Sequence, residues 1–434
     1  MQMIAIGGAI GAGLFIGSGG ALSKGGPASL VLGYMIVGSM LLCTVQALGE
    51  LGVLFPVNGA FFTYIGSGFA VGWDYAIGWL TVLPFELVAA GITIEFWRDD
   101  INIGVWITVF LFVLCIIQIW GIRAYGEVEF ILSIIKICGC VGFIIFGTIV
   151  ACGGVGDQGY LGAKYWHNPG AFANGFKGFC SVFVVAAFAF GGGANSKYSP
   201  FVIAIRLAGV KALPSIFNVI ITISVISVAN SCTFGSTRTL QALAERGMAP
   251  ALLAYVDGKG RPIWGVVLQL LFGLLAFVAE NKQQGLVFNW LLALSGLSFF
   301  FIWASICLAH IRFRHAWKVQ GHVKAELPFE AMFGVGGSYY GLGMNILCMA
   351  ATFYIALFPI GGNLTARAAA ENFFSYYLAA PVIIALYLGW KIWTKDWKLY
   401  IKGVDMDITS GRRSLTLDPD DMPPPKTWAN MPMR

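Results

Sequence analysis

Two ionisable side chains stand inside otherwise apolar stretches, where water is absent and a charge needs a purpose. Glu86 follows Pro84 within residues 74–96, and Lys136 lies about ten residues into 127–151. Glu86 can serve as a cavity carboxylate that selects a substrate or carries a proton. It can equally be a buried acid bonded to a backbone or hydroxyl group. Lys136 can hold and release a proton. Its plainer role is to snorkel, because a four-carbon stem reaches far toward an interface. Glu50 sits near the end of its own apolar stretch, where a solvated or structural role is as natural.

A third feature is backbone rather than side chain. Ile4-Ala5-Ile6-Gly7-Gly8-Ala9-Ile10-Gly11-Ala12-Gly13-Leu14-Phe15-Ile16-Gly17 is apolar but rich in glycine. Each glycine costs a helix about 1 kcal/mol against alanine. The stretch therefore asks for a helix break, a close helix contact, or both. A break in mid-membrane is tolerated only where it lines a cavity, and its free N–H groups suit an anion. Close packing between helices is the alternative. Gly8-x-x-Gly11-x-Gly13 is not a dinucleotide fingerprint: the glycine order is wrong, and position 33, where an acid belongs, is glycine.

These features must be held by membrane-spanning helices. The chain has 434 residues, of which 58% are hydrophobic and only 11% charged, with a mean hydropathy of +0.78. Soluble domains carry about 25% charged residues, so the chain is an all-α polytopic membrane protein. The net charge of +6 resides in loops and fits positive cytoplasmic loops rather than nucleic-acid binding. The nine cysteines are scattered singly, without metal spacing, and serve as small apolar fillers. His167, His310, His315 and His322 fall in expected loops and are expected to be solvated. No metal, cofactor or enzymatic nucleophile–base set is expected.

About 20 apolar residues make a span. Ten full spans are expected near 3–22, 28–53, 74–96, 102–121, 127–151, 213–237, 263–280, 286–309, 339–360 and 374–394. No basic leader precedes the first, and no cytoplasmic segment is expected before it. The transmembrane domain is 1–394, and 395–434, ending in prolines, is a cytoplasmic tail. Arg238, Arg246, Lys259 and Arg261 follow one span, and Arg312, Arg314, Lys318 and Lys324 follow another. These loops and the basic tail belong inside. Asn363-Leu364-Thr365 is a glycosylation sequon on the outer face, close to the membrane.

Parity then fails. Counting from both ends, residues 152–212 must join two outer faces, yet they hold one short apolar run, 178–193. That run measures about 24 Å as a helix, against a hydrocarbon core of about 30 Å. It ends in Gly191-Gly192-Gly193-Ala194-Asn195-Ser196-Lys197. A re-entrant or partial span is expected there, or a helix lying on the surface. An inverted N-terminal half is the other solution, disfavoured by Arg123 alone.

With the spans placed, the chain resembles the fungal amino-acid permeases, the yeast amino acid transporter branch of the amino acid–polyamine–organocation superfamily. The motifs are Gly7-Gly8-Ala9-Ile10-Gly11-Ala12-Gly13-Leu14-Phe15, Ala47-Leu48-Gly49-Glu50-Leu51, Leu83-Pro84-Phe85-Glu86 and Gly121-Ile122-Arg123-Ala124-Tyr125-Gly126-Glu127-Val128-Glu129. Later come Asn230-Ser231, Ser236-Thr237-Arg238 and Phe288-Asn289-Trp290-Leu291-Leu292-Ala293-Leu294-Ser295-Gly296. The resemblance implies an inverted-repeat five-plus-five transporter fold (LeuT-like), with the first and sixth spans broken at the midplane. It implies proton-coupled uptake of amino acids across the plasma membrane, with protons and membrane lipid as the other partners. The substrate carboxylate would sit on the backbone N–H groups of Gly11, Ala12 and Gly13. The substrate amine would face the carbonyls of Phe188, Ala189, Phe190 and Gly191. Selectivity or proton coupling would fall to Glu86 and Lys136.

The sequence leaves the family pattern after Gly192. The second half of span six and all of span seven are missing, on the order of 60 residues by span length. A skipped exon, a gene-model error or a decayed gene would each leave that gap. The fold is therefore expected to be incomplete and transport-defective, with retention in the endoplasmic reticulum. A non-transporting amino-acid sensor on the same fold, or an inactive permease fragment, are the alternatives.

Overall fold

The computed structural model describes residues 8–56, 68–120, 122–155, 159–189, 199–280, 284–362, 365–395, 397 and 401–412. Every regular element among them is helical. In chain order these are α1 (Ser18–Leu54), α2 (Gly68–Ile94), α3 (Ile103–Trp120), α4 (Ile122–Ala151), α5 (Gly175–Ala189), α6 (Pro200–Leu207), α7 (Leu213–Glu245), α8 (Ile263–Gly273), α9 (Gln284–Val319), α10 (Gly334–Leu357), α11 (Ala366–Tyr377) and α12 (Ala379–Thr394). A π-helical turn, Gly13–Gly17, leads into α1.

Among the described residues, six helices are long and apolar enough to cross a membrane. A seventh arises if α11 and α12, bent by 69° at their junction, act as one span. Shorter apolar helices occupy Ile103–Gln118, Gly175–Ala187 and Ile263–Val278. The protein is thus an integral membrane protein of all-α, polytopic class. The run expected at 178–193 appears as α5, whose 15 residues extend about 22 Å. Its continuation beyond Ala189 lies outside the described residues.

The packing follows composition. Of the most apolar stretch of α2, 78% is buried inside the protein, against 17% for α4. α2 is therefore the central post, and α4 turns an isoleucine-rich face outward, where apolar exposure suits lipid. α2 packs most extensively against α7, and α1 against α5. Phe15, Phe85, Ile107, Ile221, Val225 and Val228 belong to the core that α2 and α7 share with the first turn.

α1 is two helical pieces joined at Gly26, where φ is +82°. The backbone groups exposed by this turn are satisfied across the chain. Ala28 N–H donates to the Ala171 carbonyl at 3.0 Å, and Ala173 N–H donates to the Gly25 carbonyl at 2.9 Å. This separates the pieces expected as spans 3–22 and 28–53.

Several helices outrun the expected spans. α4 begins at Ile122 rather than 127, α7 runs to Glu245, and α9 runs to Val319. Apolar length predicts only the part of a helix in hydrocarbon. These ends continue because each finds partners beyond it: Tyr125 stacks on Phe234 of α7, Leu240 and Leu243 pack with Val71 and Leu253, and Phe313 and Trp317 pack with Leu51 and Leu54 of α1. The histidine expectation is corrected here. His310 and His315 lie on α9, and His310 is fully buried. Its Nε2 is 3.0 Å from Glu50 Oε1, and its Nδ1 is 2.7 Å from Ser338 Oγ. His322 stacks on Trp317 and pairs with Glu326. Glu50 is likewise buried, which gives it the structural rather than the solvated role.

The Gly26 turn supplies a stability prediction. A Cβ there would meet the Ala171 carbonyl oxygen at 2.6 Å, on a backbone that side chains rarely adopt. Gly26→Ala should cost about 1–3 kcal/mol and lower the melting temperature in detergent. Gly142→Ala, with nothing within 4 Å, should leave it unchanged or raise it. Equal melting of both variants and the parent would contradict the role of this turn.

Candidate functional site

The glycine stretch proves to be both broken and closely packed. Residues 8 and 9 are helical, 10 and 11 form a bend, and a π-turn follows over Gly13–Gly17. A π-turn widens the ring and disturbs the regular ladder of carbonyls. One carbonyl gains an outside donor: Ser199 Oγ donates to the Phe15 carbonyl at 2.5 Å. The bend presses against α7 and α2. A Cβ on Gly11 would lie 2.5 Å from Val228 and 3.3 Å from Glu86 Oε1. Only glycine lets the backbone approach that closely.

Glu86 is wholly buried beside this bend. Its electrostatic partners are Lys136 and the backbone N–H of Ala12. Neither carboxylate oxygen completes a hydrogen bond of ordinary geometry. The Ala12 N–H belongs to the set expected to hold a substrate carboxylate, so the protein's own carboxylate already faces that donor.

Lys136 is also wholly buried. It does not snorkel, because two carboxylates draw its ammonium inward: Glu129 on α4 and Glu86 on α2. Glu129 is the residue that the sequence reading left out. It precedes Lys136 by two helical turns, which places both on one face of α4. Ser227 Oγ donates to Glu129 Oε1, and Asn230 Nδ2 donates to Oε2 at 3.2 Å. Gln118 Nε2 of α3 donates to Asn230 Oδ1 at 3.1 Å. Tyr125 Oη donates to Ser231 Oγ at 3.3 Å. A Cβ on Gly8 would lie 3.5 Å from Ser231, so the network returns to the broken helix. Helices α2, α3, α4 and α7 and the broken first helix thus converge on one buried cation between two acids.

The amine side is less complete. Phe188 and Ala189 close α5, while Phe190 and Gly191 lie outside the described residues. A second polar seam runs between α2 and α9, also missed in the sequence. Ser298 Oγ donates to Asp74 Oδ1 at 2.8 Å, and the Thr81 and Ser295 hydroxyls are 2.7 Å apart.

The Glu129 network generates a paired prediction. Glu129→Ala removes a buried counter-charge and strands Ser227, Asn230 and Lys136. It should cost about 3–5 kcal/mol, the usual penalty for breaking a buried pair from one side. Glu129→Gln keeps most hydrogen bonds and should cost clearly less. Thermal unfolding in detergent compares them. Equal and negligible losses would show that the network bears no stability.

A model of the amino acid permease family matches residues 1–196 and 192–402, in two pieces that meet at 192–196. General amino-acid permease GAP2 of Candida albicans is 44% identical over 480 residues, spanning 96% of this chain and 81% of that protein. General amino-acid permease GAP1 of Saccharomyces cerevisiae is 44% identical over 485 residues, spanning 96% and 80%. The histidine permease of Saccharomyces cerevisiae is 42% identical over 481 residues, spanning 95% and 79%. Permeases carry their substrates across a membrane rather than transform them. The chain, with its helical membrane architecture and its broken, glycine-lined first helix, belongs to the amino acid permease family.

Proposed function

We propose that this chain carries the binding site of a proton-coupled amino-acid uptake permease, and that an internal gap near Gly193 leaves it unable to complete transport. The observation that carries the coupling is the Ala12 N–H facing the Glu86 carboxylate. The substrate carboxylate takes the N–H groups of Gly11, Ala12 and Gly13, where a helix end favours an anion. Two carboxylates compete for one donor there. A proton on Glu86 removes the competing charge and lets the substrate in. Lys136, held by Glu129, keeps Glu86 from drifting away and shares its charge. The substrate amine faces the end of α5 at Phe188, Ala189, Phe190 and Gly191, completing the site between two broken helices.

Three observations support the gap. The family match falls into two pieces at 192–196. The alignments to relatives run to 480 and 485 residues, longer than the 434 of this chain. An apolar cleft of about 530 Å³, lined by Leu14, Leu30, Val31, Phe143, Pro200 and Phe201 among others, opens beside the junction. Side chains of a further helix packed alongside would fill it. Alternating access moves one set of helices against another around a fixed site, and here part of the moving set is lacking. The complete protein belongs at the plasma membrane. This chain is held in the endoplasmic reticulum.

Labelled amino-acid uptake tests this in fungal cells lacking their own permeases. The chain should give none. A version with the segment restored from a relative should give saturable uptake that rises as pH falls. In that version Glu86→Gln should flatten the pH dependence, and Lys136→Ala should uncouple or abolish proton-driven uptake with the protein still in the membrane. Saturable, proton-dependent uptake by the short chain would overturn the gap reading. Unchanged pH dependence in both variants would overturn the coupling.

A further inference from the structure

The basic end of the bundle holds a second buried charge cluster, remote in sequence from the first. Glu50, on the last turn of α1, meets Arg314 of α9 twice: Arg314 Nε is 2.6 Å from Oε1, and Nη2 donates to Oε2 at 3.0 Å. Ala331 N–H also donates to Oε2, at 2.8 Å. With His310 and Ser338 already joined to Glu50, one carboxylate ties α1 to α9, α10 and the loop between them. Glu330 adds a 3.2 Å contact to Arg314. Breaking a buried pair from one side strands the other charge, so this knot opens all at once or not at all.

The tail lies over the knot. Arg312 Nη2 donates to the Ile401 carbonyl at 2.5 Å. Gln320 Nε2 donates to the carbonyls of Gly403 and Met406, at 2.9 and 2.8 Å. The Arg412 guanidinium lies 4.8 Å from the Trp317 ring centroid. Between these anchors Ile408 is 3% exposed, in one apolar cluster with Leu51 and Leu54 of α1 and with Phe313 and Trp317 of α9. The segment is shaped to present that isoleucine. The Ser410 hydroxyl, with the backbone N–H groups of Ser410 and Thr409 that donate to Asp407 at 2.9 and 3.0 Å, holds the Asp407 carboxyl below the usual carboxylate range. A tail that merely trails from a membrane protein needs neither a buried plug nor satisfied carbonyls.

We propose that residues 401–412 are a strap that holds the end of α1 against α9, so that this end of the bundle opens only when the strap and the Glu50 knot release together. Residues 401–412 join the cluster that also packs α1 on α9. Detaching the strap uncovers Leu51 and Leu54 and lowers the cost of parting Glu50 from Arg314. The role of this motion in a transport cycle rests on the permease reading above, but the coupling itself does not. Coupling of this kind is reciprocal: what the strap does to the knot, the knot does to the strap.

Hydrogen exchange on the whole chain in lipid nanodiscs tests it without any transport. Gln320→Ala removes two tail contacts and no core side chain. Exchange should quicken by about threefold or more in 401–412, and also at 49–56 and the Ala331 amide. Glu50→Gln should in turn quicken exchange in 401–412. If Gln320→Ala loosens the tail and leaves 49–56 and Ala331 at the parent rate, the strap is passive and the proposal falls. A failure of amino-acid uptake by the version with the segment restored, with coupled exchange intact, would count against the permease reading alone.

Discussion

A lysine ammonium inside a bilayer protein must be paired, and most of this fold can be understood as the means of pairing Lys136. Its stem starts from α4, the helix most open to lipid, yet its charge points inward. Glu129 on the same helix and Glu86 on α2 supply the counter-charges. Each acid then needs its own partners. Glu129 takes hydroxyl and amide donors from α7. Glu86 reaches the free backbone of the broken first helix. Packing α2 against α7 and threading the glycine bend between them follow from one charge that cannot be left unpaired in a low-dielectric interior.

The same logic recurs at the basic end with reversed signs. There the buried carboxylate of Glu50 is the charge to be neutralised, and Arg314, His310 and the Ala331 amide surround it. Neither cluster is bought with stability alone. Apolar groups of equal volume would often serve a static bundle as well or better. Charge clusters between helices give a bundle discrete arrangements, each satisfied or not, and a carrier that alternates between two states has use for that.

How much of this was legible in sequence depends on whether a residue stood out from its neighbours. Glu86 and Lys136 did, because a lone charge in an apolar run is conspicuous. Glu129 did not. It sits in Gly121–Glu129, whose tyrosine, arginine and glutamates read as a loop, and α4 starts inside that stretch. His310 was misplaced for the same reason, since α9 continues past the point where the sequence turns charged. Partners are the least legible of all. That Glu50 meets Arg314, 264 positions away, follows from packing and from no local pattern. The gap proposed near Gly193 came from parity, a global constraint that membrane topology places on the number of spans, and not from any one residue.

The most direct test is a cryo-electron microscopy map of the chain in a lipid nanodisc with an amino acid present. The account predicts the Lys136 side chain turned inward between Glu129 and Glu86, and the ligand carboxylate on the N–H groups of Gly11 to Gly13 with Glu86 displaced from Ala12. A Lys136 side chain extended to the lipid headgroups, or a ligand bound away from the first-helix break while Glu86 keeps its place, would contradict it.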